Sequence, residues 1–214
     1  AFIAQIRLEE VPCKPEPLPQ AGLLSFFYDA EDQPWGYDPR HREQWKVLYT
    51  PDTEALERRA APEGLPRDTD FAALAAEFAE QTTLLSHRSL AFRRLDMTEA
   101  ENDAYLDLLE RVDRHNGTEK EAHRLLGHAD AVQGEMQLKC QLVSNGIDCG
   151  DPLGYRHPRR EELEPGAESW QLLLQIDSDE RNDMIWGGFG MIYFWIHEDD
   201  LRQRNFDRVW LVLQ

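Results

Sequence analysis

Three short apolar runs at the start of the chain recur in the same order at its end. FIAQIRL at Phe2 to Leu8 is matched by LLLQIDS at Leu172 to Ser178, which sets Gln5 against Gln175. GLLSFFYD from Gly22 is matched by GMIYFWIH from Gly190, and WKVLY from Trp45 by WLVLQ from Trp210. The intervals agree: Gln5 to Gly22 spans 17 positions and Gln175 to Gly190 spans 15, while Gly22 to Trp45 spans 23 and Gly190 to Trp210 spans 20. Differences of two or three residues fit loops. Each run is rich in aromatic and β-branched residues and bounded by Pro, Gly or Asp, the pattern of buried strands. A sheet unit therefore occurs twice, over 1–50 and 170–214. Neither copy carries enough apolar surface to close a core alone, so the two should pair about a pseudo-twofold axis. The fold expected is α+β, with two duplicated antiparallel β units forming a barrel-like or packed sheet core under two to four helices from the middle of the chain.

At 214 residues the chain is read as one domain, 1–214, with a helical middle segment over 52–146. Thr98 and Glu101 form a capping box ahead of an apolar stripe through Ala104, Tyr105, Leu108, Leu109 and Val112, with Gly117 as the stop. A second helix is expected from Asp130 through Val132, Met136, Cys140 and Val143, ended by Asn145 and Gly146. A short helix over Phe71 to Phe78, a strand over Leu84 to Phe92, and brief helical turns at Pro158 to Leu163 and Glu198 to Arg204 complete the reading. The stretch Ile147 to Arg160 is expected to be loop. The chain opens inside what reads as a strand, so upstream residues are expected to be missing.

The formal net charge is −18, from 41 acidic and 23 basic residues, the reverse of what phosphate binding requires, so nucleic acid is excluded as a partner. No apolar run is long enough to span a membrane. Cys13, Cys140 and Cys149 form an odd set without a CxxC pair, which argues for reduced thiols in a cytoplasmic protein and against a disulfide framework or zinc site.

HRLLGHADAVQGEM at His123 to Met136, LLLQIDSD from Leu172 and WGGFGMIYFWI from Trp186, with AFIAQIRL and LPQAGLLSFFYD near the start, resemble the YwqG-like family of bacterial proteins of unknown function. The resemblance spans nearly the whole chain. It implies an α+β fold with a barrel-like sheet arrangement and no established activity, cofactor or catalytic residue. Gly188 stands where the family often has Asp, so a site built on that carboxylate is not implied for this chain.

Gln5 and Gln175 each place an amide inside a strand, where it must be hydrogen-bonded or cost stability. Two readings are open: each bonds the backbone at a sheet seam, or both face a shared ligand cavity with Trp186 at its mouth. Trp35, Trp45, Trp195 and Trp210 are read as core. Asp177, Asp179, Glu180 and Asp183 gather carboxylates in one loop, but the spacing is not that of an EF-hand, and a solvated loop is expected. His123 and His128, five apart across Gly127, do not share a helix face and are read as capping or surface residues. The chain has no GxSxG elbow or Walker loop, and GGFG at Gly187 to Gly190 precedes a strand instead of a helix. No catalytic residue, metal ligand or cofactor is assigned. The leading expectation is a noncatalytic acidic module that binds a basic protein. The alternative is a small-molecule-binding protein or unrecognised enzyme, with a pocket where the two repeats meet, built on Gln5, Gln175 and Trp186.

Overall fold

A computed structural model describes residues 1–66, 69–116 and 122–214. Strands β1 (Phe2–Arg7), β2 (Leu23–Tyr28) and β3 (Trp45–Thr50) form an antiparallel meander. Strands β4 (Arg124–Leu125), β5 (Trp170–Asp177), β6 (Met191–His197) and β7 (Trp210–Leu213) form a second sheet in that order, also antiparallel. Of the two arrangements expected, barrel-like or packed sheets, the barrel is not formed: among the described residues no strand of one sheet pairs with a strand of the other, and they close no cylinder. They share one apolar interior instead. Phe26 of β2 meets Phe194 of β6 edge to face at 5.1 Å, and Trp45 of β3 meets Trp210 of β7 at 5.0 Å. The Trp45 indole also donates to the Val209 carbonyl, and that of Trp210 to the Gly36 carbonyl, so the largest side chains fasten one meander to the other.

The two meanders have matching local geometry. β1 and β2 pair as Gln5 with Ser25 and Ala4 with Phe26, with a bulge between Phe2 and Ala4. β5 and β6 pair as Gln175 with Tyr193 and Leu174 with Phe194, with a bulge between Leu172 and Leu174. The Leu8 N–H donates to the Gly22 carbonyl and the Ser178 N–H to the Gly190 carbonyl, at corresponding places. A side chain on Gly22 would lie 2.8 Å from the Thr50 carbonyl oxygen, and one on Gly190 would overlap that of Gln214, so both glycines admit the close passage of a third strand. The third strands are offset by one residue from the sequence match: Ser25 faces Leu48 and Tyr193 faces Val212, so Trp45 corresponds in register to Val209 and not to Trp210.

Between the meanders lie helices α1 (Leu90–Arg93), α2 (Glu99–Asn116), α3 (Gln137–Ser144) and α4 (Arg160–Leu163), and α5 (Glu198–Arg202) links β6 to β7. The Thr98 capping box is present: the Thr98 N–H donates to Glu101 Oε2 at 2.8 Å and the Glu101 N–H to Thr98 Oγ1 at 3.4 Å. The stop expected at Gly117 lies outside the described residues. α3 ends at Asn145 and Gly146 as read, with Gly146 at φ 87°, but it starts at Gln137, because Asp130 is held in a loop by Gln175. Phe71 to Phe78 is not helical and Leu84 to Phe92 is not a strand. Alanines dominate the first segment and bury little, so the docking of Phe71 on Trp186, at 5.7 Å, outweighs helix propensity. In the second, Ser89 caps α1 by accepting from the Phe92 N–H. Much of the segment read as helical therefore follows the surface without regular structure.

Candidate functional site

Gln5 and Gln175 occupy matching register positions and have opposite surroundings. Gln5 is exposed on the outer face of the first sheet, where its amide donates to Ser25 Oγ at 3.0 Å. Gln175 is 0% exposed, because 122–144 lies across the outer face of the second sheet. Trp186 is fully buried against Tyr28 and Phe71 instead of standing at a cavity mouth. The structure thus does not bring the three residues to a common cavity.

What surrounds Gln175 is a dense polar network. Its Oε1 accepts from the Asp130 N–H at 2.9 Å, and its Nε2 donates to the Ala122 carbonyl at 2.6 Å and to Asp130 Oδ2 at 2.9 Å. Arg124 of β4, buried beside it, reaches the His128 carbonyl at 2.8 Å and the Asp130 carboxylate at 2.7 Å, while its Nε has no partner among the described residues. Tyr193 of β6 donates to the Asp130 carbonyl at 2.6 Å, and burial raises its phenol pKa far above the ordinary value. Asp177 accepts from the Ala122 N–H at 3.0 Å, and its own N–H donates to His123 Nδ1. These bonds strap the segment around β4 onto the sheet, and they engage both Nε2 protons of Gln175 and its Oε1. Sequence reasoning found Gln175 and missed Arg124, Asp130 and Tyr193. The one sequence signal was the cluster of polar residues in HRLLGHAD.

The loop of carboxylates is not simply solvated. Asp179 is 3% exposed and is gripped by Arg181 at 2.6 Å. The Arg181 guanidinium, with its backbone N–H, holds the carboxyl pKa down to about 2. Asp38, in the β2–β3 loop, is held the same way by Arg40 and also falls to about 2. Among the described residues no three His, Cys, Asp or Glu side chains converge as a metal site.

Around α3 a second group is perturbed by burial: the Glu135 carboxyl is raised, the Lys139 ammonium lowered, and the Cys149 thiol pushed up to about 11. Burial favours the neutral form in each case, so Cys149 is not primed as a nucleophile. A surface cleft of about 360 Å³ lies elsewhere, beside the junction of β2 and β3, lined by Asp29, Glu31 and Glu43 together with Lys46 and the chain's first residue, Ala1. None of Gln5, Gln175 and Trp186 lines it. No helix among the described residues is long and apolar enough to cross a membrane.

A family model described as a domain of unknown function (DUF1963) matches residues 1–214. The chain belongs to that family. No curated protein matches it. The family description carries no activity, so function rests on the surfaces: an acidic cleft, and the outer face of the first sheet, where Phe2 and Leu48 are exposed. At Gly188, in the WGGFG turn, a side chain would meet nothing within 4 Å.

Proposed function

We propose that this chain is a noncatalytic, cytoplasmic interaction module of the YwqG-like type, built on a duplicated three-strand unit, whose acidic surface receives a basic protein. The duplication is supported by the shared bulge, the shared register of the first two strands and the common role of Gly22 and Gly190. It is supported also by a reciprocal exchange of loops. The β2–β3 loop lies on β7, where Trp35 accepts from the Leu213 N–H, and the β6–β7 loop lies on β3, where Phe206 meets Tyr49 at 5.5 Å.

One observation carries the functional reading: among the described residues the outer face of the first sheet exposes Phe2, Gln5 and Leu48 on its flanking strands around a shielded central strand, whereas its counterpart on the second sheet is covered by 122–144. Phe2 is 49% exposed and Leu48 45% exposed there, beside Gln5. An apolar patch of this kind on a chain with net charge −18 suits a partner that is basic and brings its own apolar side chains.

The test is retention of proteins on the immobilised chain, compared with an unrelated protein of equal net charge. Basic proteins should be held at low ionic strength by this chain alone and released as salt rises past roughly 0.15 M, where the Debye length is about 8 Å. Replacing Phe2 and Leu48 together by Ser should abolish retention without changing the melting temperature. Equal capture by the control, or retention indifferent to salt, would refute the proposal.

A further inference from the structure

Each sheet ends in two strand edges, and an unpaired edge is a row of backbone donors and acceptors open to pairing. Three of the four are covered. β4 pairs with β5, the Trp35 carbonyl takes the Leu213 N–H of β7, and β3 is screened by side chains of the turn around Phe206 and Asp207 without a backbone hydrogen bond among the described residues. The fourth, the outer edge of β1, has no backbone partner among the described residues.

The alternation of an antiparallel ladder says which groups face outward. The Leu8 N–H donates to Gly22 on the β2 side, so Ala4 and Ile6 also turn toward β2, and Ile3, Gln5 and Arg7 turn away from it. The corresponding positions on β5 are Leu173, Gln175 and Asp177, and these are the ones that β4 and its neighbours satisfy. The Leu126 N–H donates to the Leu173 carbonyl at 3.1 Å, Arg124 pairs with Gln175, and the Asp177 N–H reaches His123 Nδ1 at 3.2 Å. One half of the molecule thus contains a filled version of what the other half leaves empty.

We propose that β1 is a strand-addition site, at which an extended basic segment of a partner protein pairs antiparallel along Ile3 to Arg7 as β4 does along β5. This rests on the interaction-module reading and locates it. Backbone pairing supplies affinity without regard to sequence. The basic character follows from the chain's charge of −18 and from the internal precedent, where an arginine sits opposite Gln175.

The probe is a synthetic peptide with the chain's own residues 122–129, AHRLLGHA, flanked by two lysines at each end, added to the full chain. Hydrogen exchange at the Ile3, Gln5 and Arg7 amides should slow by about tenfold or more, the protection should weaken with salt, and a peptide with Glu in place of its Arg should protect less. Arg7 has φ −80°, which proline adopts, so Arg7→Pro removes one outward N–H without straining the strand. It should weaken peptide binding about three- to tenfold, while Arg7→Ala, which keeps the N–H, retains the protection and both variants keep the melting temperature. The proposal is overturned if the three amides exchange equally fast with and without peptide or are already protected in the dilute free chain. It is equally overturned if protection grows with chain concentration alone, which would make a second copy the occupant. Salt-sensitive capture of basic proteins with β1 amides unaffected would sink strand addition only, and loss of both would sink the module reading as well.

Discussion

Gln175 grips Asp130 at two points, accepting from its backbone N–H and donating to its carboxylate, each at 2.9 Å. A third bond, to the Ala122 carbonyl, makes this one amide the anchor for both ends of the strap over the second sheet. Gln175→Leu would leave the Asp130 N–H and the Ala122 carbonyl unpaired. We expect a loss of about 2–4 kcal/mol in urea unfolding, whereas Gln5→Leu, at the matching register position but exposed, should stay within about 0.5 kcal/mol.

Gly22 and Gly190 differ in purpose from Gly188. A methyl group on Gly190 collides with the Gln214 carbonyl, and one on Gly22 crowds that of Thr50 at a backbone φ of 103°. Alanine at either position should cost about 2 kcal/mol or more, through steric strain and, at Gly22, an unfavourable φ. Gly188→Ala meets no neighbour and should be neutral or stabilising by up to about 1 kcal/mol. Thermal or urea denaturation of the three variants distinguishes these outcomes.

Asp38 and Asp179 make stability fall in acid. Their folded pKa values, held near 2 by Arg40 and Arg181, lie below the ordinary carboxylate value of about 3.9. The unfolded chain therefore binds protons first as the pH drops. The stabilisation is complete above about pH 4 and is lost as the pH falls toward 2. Urea midpoints measured across this window should drop, and the drop should be shallower in Asp179→Asn, which starts from a lower plateau.

α2 is well capped, but most of its side chains are exposed, and its ties to the rest of the chain include the Tyr105 ring on Phe92 and the Tyr105 hydroxyl on the Leu85 carbonyl. Local opening should therefore precede global unfolding. Amides of α2 should exchange faster than those of β5 and β6, and Thr98→Ala should speed them further, by an equivalent of about 0.5–2 kcal/mol, with the global melting temperature unchanged.

Much of the molecule was legible before any coordinates. The strand runs, the paired glycines, the Thr98 capping box and the burial of Trp45, Trp195 and Trp210 follow from chemistry within a few residues: alternation, φ limits and local hydrogen bonds. By contrast Trp35, read as core, is 39% exposed, and Trp186, read as a cavity mouth, is fully buried. The segment Phe71 to Phe78 was misread because its few large side chains found better burial on Trp186 than on a helix face, a choice made at long range. The one-residue offset that separates Trp45 from Trp210 was hidden for a similar reason, since two Trp-led runs look alike until register is set by the neighbouring strand. The two glutamines mark the boundary most clearly. Local sequence placed both at the same point of the same ladder, yet one meets solvent and the other is sealed in three hydrogen bonds. That difference belongs to which sheet face the middle of the chain folds over, and it arises from contacts between residues some 45 or more positions apart, beyond the reach of any local pattern.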